Sequence, residues 1–414
     1  MALLIHGGSP GRDERLLALF IEPLRSLDEL LDRLPIADHT TLMGGGSNAR
    51  VYEFNYAATT YVVKFVRAGT ALVDGHDATT LSRKADQIAW IHQYCPRLAG
   101  RIAAPILVYR GDDGCALVMH HEAGYPLIQL LKDANSPAEF FDVLAPILTD
   151  LIEHGYSTST ISAASGSFAR MHPDRIERRL KVIRDNLDRR LLDGAVRING
   201  RSCPGLEDVL ADLRARPALL AALDPPVLHF PVHGDLNAGN LFRRENTGKG
   251  GYFMLDPRGI VEHWDAMYDM GKLLFSLAGL HAGMHSGFAV QRCTAGIEVK
   301  VRSGQTHVFE SAADRFPEFL ASLPAFGRLI EGDPHWLLRL HMTTAMHMLA
   351  EVACRFSDTK PRTTPANRGH AAQAELATGL YAMGVLSAEH LLRLDDARLL
   401  SGTLTRPNWQ EPGP

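Results

Sequence analysis

Between residues 233 and 256 the chain carries oxygen-bearing side chains at a spacing that suits phosphoryl transfer. His233-Gly234-Asp235-Leu236-Asn237-Ala238-Gly239-Asn240 lies between the apolar run Val227-Leu228-His229-Phe230 and the pair Leu241-Phe242, which predicts a loop between two short strands. Further on, Tyr252-Phe253-Met254-Leu255 delivers Asp256. The turn-rich Asn246-Thr247-Gly248-Lys249-Gly250-Gly251 between them predicts a hairpin that folds Asp256 back beside Asn240. An Asn and an Asp make an oxygen-only donor set for Mg²⁺, while Asp235 is placed to orient and deprotonate an attacking hydroxyl. Upstream, the glycines of Gly44-Gly45-Gly46-Ser47-Asn48 let backbone N–H groups approach phosphates closely. Lys64 is the natural contact for the α- and β-phosphates. No G-x-x-x-x-G-K-[ST] string occurs, which disfavours a P-loop enzyme.

These residues need elements to hold them. Thr41-Leu42-Met43, Val51 to Phe54 and Thr60 to Val66 read as three antiparallel strands, because β-branched and aromatic residues are bounded there by turn formers. A helix is expected from about Thr79 to Tyr94. Ile106 to Tyr109 and Cys115 to Met119 form a further hairpin closed by Gly111-Asp112-Asp113-Gly114. After Gly124 the pattern turns helical: Ser136-Pro137 opens a helix to about His154, and others are expected over 173–192, 205–213, 334–356 and 365–394. Ser157 to Ser167 reads as a loop. Glu298 to Val301 and His307 to Glu310 read as a hairpin around Arg302-Ser303-Gly304, a lid or a packing decoration. The expected fold class is α+β and bilobal: a helical extension over 1–39, an N-lobe of five antiparallel strands plus a helix over 40–122, and a mostly helical C-lobe over 123–414.

Composition sets outer limits. The chain has 414 residues, 46% hydrophobic and 22% charged, with 43 basic against 47 acidic residues and a net charge of −4. That supports a two-lobe core and supplies no basic field for nucleic acid. Five widely spaced cysteines without a C-x-x-C pair argue against a disulfide framework or structural zinc. With no apolar run long enough for a membrane span or signal-peptide core, a cytoplasmic protein without a membrane partner is expected. The basic residues comprise 35 arginines and only eight lysines, so each lysine is worth inspecting individually.

Taken together, the HGDxxxxN string, Leu255-Asp256-Pro257 in place of a kinase DFG, and the Gly-rich loop with its third-strand lysine resemble the aminoglycoside phosphotransferase family, small-molecule kinases with the protein-kinase fold. Val118-Met119-His120-His121-Glu122-Ala123-Gly124 looks like the interlobe hinge, and Asp265 to Met270 looks like the helix start after the metal Asp. The resemblance covers about 40–125 and 225–280. It implies Asp235 as catalytic base, Asn240 and Asp256 as Mg²⁺ ligands, and Lys64 with Gly45, Gly46, Ser47 and Asn48 on the phosphates of ATP or GTP. His120 to Glu122 would face the base, and Asp269 would brace the catalytic loop. The implied acceptor is a small-molecule hydroxyl: an aminoglycoside, a nucleoside-type or glycosylated antibiotic, or a sugar alcohol, consistent with antibiotic resistance or biosynthesis. Protein acceptors are disfavoured, since H-R-D and A-P-E strings are missing.

The sequence departs from this pattern in two places. Arg258 follows the metal Asp by two positions, and a bidentate donor there would meet a phosphate or Asp235. Kinases of this fold pair the third-strand Lys with a Glu on the next helix, yet no Glu occurs between Glu53 and Glu122. The matching position is Lys84. Asp77, which shares the helical face of Leu81 and Ile88, is expected to substitute, in preference to Asp86. This gap keeps open a nucleotide-binding pseudokinase with a regulatory role. His233 reads as a loop brace in support of Asp235, and His281 and His285 as ordinary histidines, not metal ligands. The run Arg175, Arg178, Arg179, Arg184, Arg189 and Arg190 reads as a solvated face, set against a grip on nucleic acid or an anionic acceptor. Oligomeric state is not legible.

Overall fold

A computed structural model describes residues 3–4, 13–36, 49–70, 73, 75–133, 136–192, 196–245, 251–293, 296–301, 307–357 and 369–394. Gly44 to Asn48, Thr41 to Met43, the turn at 246–250 and Arg302 to Gly304 lie outside them. The fold is α+β and bilobal. Its N-terminal sheet is antiparallel throughout, in the order Leu3–Leu4, Pro105–Gly111, Gly114–His120, Thr59–Arg67, Arg50–Tyr56. Among the described residues the fifth strand is Leu3–Leu4, from a segment expected to be helical. Leu3 and Leu4 pair antiparallel with Val108 and Leu107 of the strand Pro105–Gly111.

Strand alternation decides where Lys64 points. Tyr61, Val63 and Phe65 pack on one face with Leu16, Leu24, Leu27 and Leu30 of the N-terminal extension. Val66 packs on the other with Leu81 and Ala85 of the helix Ala78–Tyr94. With a period of two, Lys64 shares the face of Val66 and points at that helix. Along the helix, Leu81, Lys84, Ala85, Ile88 and Ile91 are buried at i, i+3, i+4 spacing. Lys84 thus looks inward, towards the same space as Lys64.

Two small sheets hold the segment from His233 to Asp256. Val227–Phe230 pairs antiparallel with Ser159–Ser162, so the stretch expected to be a loop contains a strand. Leu241–Arg244 pairs with Tyr252–Met254 on one side and Gly124–Pro126 on the other. The Leu241↔Met254 register sets Leu255 beside Asn240, and the Leu255 N–H donates to the Asn240 carbonyl at 2.9 Å.

The remaining core is helical. Helices Ala138–His154, Pro173–Asn186, Met267–Phe275, Trp336–Ser357 and Gly369–Leu392 enclose one continuous apolar cluster. Gly296–Val301 pairs with Phe288–Cys293, and His307 opens a helix to Ser322. The expected hairpin from 298 to 310 is thereby corrected. Val308, Phe309, Ala312 and Ala313 are buried at i, i+1, i+4, i+5, a helical period that four residues alone were too few to reveal. Among the described residues, no helix is long and apolar enough to cross a membrane.

Candidate active site

Asp235 is held from three sides. The Asn240 side-chain N–H groups donate to its backbone carbonyl at 2.9 Å and to Oδ2 at 3.1 Å. Lys272 Nζ lies 3.2 Å from Oδ1. The backbone N–H of Asp235 donates to His233 Nδ1 at 3.2 Å, and the opposite ring nitrogen donates to the Leu255 carbonyl at 3.1 Å. His233 therefore ties the Asp235 loop to the strand end that carries Asp256. Gly234 has φ +77°, and a Cβ there would come within 2.5 Å of Ile260, so only glycine fits this turn.

Beneath the loop, Asp269 is fully buried in the first turn of Met267–Phe275. Its Oδ2 accepts from the His233 N–H and the Tyr156 hydroxyl, each at 2.8 Å, and its Oδ1 from the Gly234 N–H at 2.7 Å. Burial raises its pKa to about 7 despite the three donors.

Asp256 has φ +57°, a strained conformation for a residue with a side chain. Lys64 and Lys84 both donate to its Oδ1 at 2.6 Å. Burial alone would raise the Asp256 carboxyl, but the two ammonium groups outweigh it and hold the group ionised, far below the usual range. The expected Lys64–Asp77 pair is not what forms. Asp77 caps its helix, accepting from the Thr80 N–H at 2.6 Å, and Asp86 pairs with Arg110 at 2.5 Å. An Asp just before the helix is better used on its unpaired N–H groups than in reaching across the sheet. Lys64 finds its carboxylate in Asp256.

Helix Ala78–Tyr94 also grips the loops through Gln87, a residue not singled out by its sequence context. Its Oε1 accepts from the Gly259 and Ile260 N–H groups at 2.7 and 3.1 Å, and its Nε2 donates to the Val232 carbonyl at 2.6 Å. One fully buried amide thus joins the helix to the segments just before His233 and just after Asp256. Lys272 is a second residue not anticipated. It is a lone cation in an apolar helix, bridging Asp235 and Glu351, and Glu351 in turn pairs with Arg355. The scarcity of lysines was its only signal.

The other expected contacts have clear positions. His120 stacks on Tyr61 and its Nε2 lies 3.1 Å from Asp13 Oδ1, while Glu122 pairs with Arg244. The Arg258 N–H donates to the His233 carbonyl at 2.8 Å, and its guanidinium lies beside Gly75. His281 packs against Gly239, with Nε2 buried and unpartnered. The arginine-rich helix is divided. Arg184 pairs with Glu207, and Arg190 with Asp188, at the surface, whereas Arg175 and Arg179 are buried. For those two the solvated-face reading is corrected: they occupy the inward stripe of Pro173–Asn186 together with Ile176 and Ile183.

Buried histidines near the site make stability depend on pH. His172, His233 and His347 are at most 2% exposed, and burial holds all three below the ordinary imidazole value, His233 at about 4. Below about pH 6.5 the unfolded chain binds protons that the folded chain refuses, so stability falls as pH falls. At about pH 5.5 the three together cost ~4 kcal/mol. Asp269, raised to about 7, keeps a proton that the unfolded chain loses and returns ~2 kcal/mol over about pH 7.5 to 5.5. The histidines prevail, so Tm is expected to drop by a few degrees across that interval. A Tm that holds or rises in differential scanning calorimetry would contradict this assignment.

A bilobal α+β chain with a lysine-bearing antiparallel sheet above an Asp–Asn–Asp loop pair defines a phosphotransferase of the protein-kinase-like class. The model of the phosphotransferase enzyme family matches residues 39–279, more than half the chain, and the chain belongs to that family. It is a phosphotransferase with an alcohol group as acceptor. Solved structures similar to it include a thermostable mutant of an aminoglycoside phosphotransferase in ternary complex with ADP and hygromycin B, at 11% identity, 87% coverage of this chain, 97% of that chain and TM-score 0.49. A second is a putative fructosamine-3-kinase from Haemophilus somnus, at 11% identity, 83% and 91% coverage and TM-score 0.41. A third is an aminoglycoside phosphotransferase from Streptomyces rimosus in complex with ADP and streptomycin, at 17% identity, 73% and 94% coverage and TM-score 0.40. A comparison with curated proteins finds no match.

Proposed function

We propose that the protein transfers the γ-phosphoryl group of ATP or GTP to a small-molecule hydroxyl with Mg²⁺, Asp235 acting as the base. The observation that carries this reading is the convergence of Asp235, Asn240 and Asp256 beneath Lys64 and Lys84. Asp235 is held by Asn240 and Lys272 with a carboxylate available to take the hydroxyl proton, and that proton transfer is its main catalytic contribution. Lys64 and Lys84, now on Asp256, would turn to the donor phosphates when a nucleotide arrives.

The donor chemistry fits Mg²⁺. Because Asn240 spends its N–H groups on Asp235, its carbonyl oxygen is left to accept, and Asp256 is an ionised carboxylate, so the two offer hard oxygen ligands. The ion, when bound, would offset charge on the phosphoryl oxygens. Gly45, Gly46, Ser47 and Asn48, together with the backbone of His120 to Glu122, complete the proposed nucleotide site. Nucleic acid and membranes are not among the proposed partners, and cytoplasmic activity is part of this reading.

Calorimetric titration with ADP tests the metal ligands. Mg²⁺ is expected to tighten ADP binding about tenfold, ~1.4 kcal/mol, in the native protein and to have no effect in Asp256→Asn. Equal Mg²⁺ dependence in both would remove Asp256 from the metal site.

A further inference from the structure

The cations around Asp235 are not balanced by the carboxylates near them. Lys64 and Lys84 share Asp256, and Lys272 and Arg355 share Glu351, with Lys272 also on Asp235. Two guanidinium groups close to the same loop, Arg175 and Arg258, have no carboxylate partner among the described residues. Arg175 is 5% exposed. One of its terminal N–H groups donates to the Tyr268 hydroxyl at 2.7 Å and reaches His347 Nδ1 at 3.5 Å, both neutral groups, and its Nε is buried without a partner. A buried guanidinium without an anion is costly, and a bound molecule that supplies one relieves the cost.

Geometry places these groups near the loop that carries Asp235. Arg258 leaves the chain two residues after Asp256, and its Cβ would lie 2.7 Å from a Cβ at Gly234, directly beside the base. Its guanidinium lies 3.4 Å from the Cβ position of Gly75, and the Arg179 guanidinium lies 4.0 Å from the same point. Arg175 and Arg179 are one turn apart on a single helix face. The Arg258 and Arg179 guanidiniums thus meet beside Gly75, with the Arg175 charge near both, and Arg258 is the half-buried one of the three. Burial first, then the nearby Arg258 and Arg179 charges, pulls Arg175 down to about 10. In the proposed nucleotide site Lys64 and Lys84 would meet the donor phosphates, which leaves Arg258 for the other substrate.

Resting on the reading of Asp235 as base, we propose that the acceptor bears an anionic group, a carboxylate or a phosphate, which Arg258 grips while Arg175 supplies positive charge from beneath. The guanidinium fork matches either oxyanion. Polycationic amino sugars are the wrong sign for this pocket.

The test saturates the donor site with a non-hydrolysable ATP analogue and Mg²⁺, then measures binding of inorganic phosphate, a hexose phosphate, gluconate, glucose and glucosamine by calorimetry. Saturable binding of the anions is expected, at least about tenfold tighter than glucose, with glucosamine weakest. Arg258→Gln should weaken the anions about tenfold or more and change ADP affinity less than about twofold; Arg258→Lys, which keeps the charge without the fork, should fall between. The lysine variant also serves if the glutamine variant melts early. Glucosamine binding best, no saturable anion binding, or parallel loss of ADP affinity in both variants would overturn the proposal. Anions that bind while no hydroxyl compound is phosphorylated would sink the kinase reading and leave this site standing. Phosphorylation of a neutral or cationic acceptor at an unchanged rate in Arg258→Gln would do the reverse.

Discussion

Asp235→Asn is expected to lower kcat about a thousandfold, ~4 kcal/mol in the barrier, with ADP affinity within about threefold of the native value. The substitution keeps the side-chain shape and the main-chain hydrogen bond from Asn240, and it removes the charge that accepts the hydroxyl proton. It also leaves Lys272 facing Glu351 alone, so the fold should tolerate it. Because the loss falls on a step made only in the transition state, kcat and kcat/KM should drop together. Steady-state kinetics with a phosphorylated acceptor read this directly. A fall below about tenfold would mean that a neighbouring group takes the proton.

The second large effect is on stability. Asp269→Ala removes the acceptor for the His233 and Gly234 N–H groups and the Tyr156 hydroxyl, all buried. Each stranded donor costs ~1–3 kcal/mol, and removing a carboxylate that burial has pushed up to about 7 returns part of that. A net loss of ~4 kcal/mol is expected, a large share of a typical stability of about 5–15 kcal/mol. Asp269→Asn, which keeps one acceptor oxygen, should lose about half as much. Denaturant melts with unchanged slope would show both values, and a loss under ~1 kcal/mol for the alanine variant would deny Asp269 its bracing role.

The parts that sequence reasoning located are those whose signal is local. The His233 to Asn240 string and Asp256 could be read off because loop, strand and turn residues follow one another within about 25 positions. Lys64 was legible because it sits within the β-branched run Thr60 to Val66, the strand that follows the Gly-rich loop and Val51 to Phe54. What was not legible depends on partners far away in the chain. Lys272 meets Glu351 across 79 positions and Gln87 meets Gly259 across 172. No period or motif announces such pairs. Asp77 went wrong for a similar reason: its wheel position matched the inward face, but the free N–H groups of its own helix lay nearer than Lys64. Leu3–Leu4 carries too few residues to show a strand pattern at all.

Lys84 deserves its place in this account because it inverts the expected pairing. Where kinases of this fold put an acid on the helix to hold the third-strand lysine, this chain puts a second cation, and the acid that holds both is Asp256 itself. The two lysines keep Asp256 ionised, and its backbone holds a left-handed conformation. The near-neutral total charge of the chain conceals this local concentration of cations about the reaction centre.

The central claim is tested most directly by mass spectrometry of reactions containing Mg²⁺, ATP or GTP, and acidic, neutral and cationic hydroxyl compounds, run with the native protein and with Asp235→Asn. The account predicts an acceptor that gains one phosphoryl group with the native protein, an acidic one foremost, and no such product with Asp235→Asn although both proteins bind ADP. Nucleotide binding without phosphoryl transfer to any compound, or transfer that survives in Asp235→Asn, would contradict it.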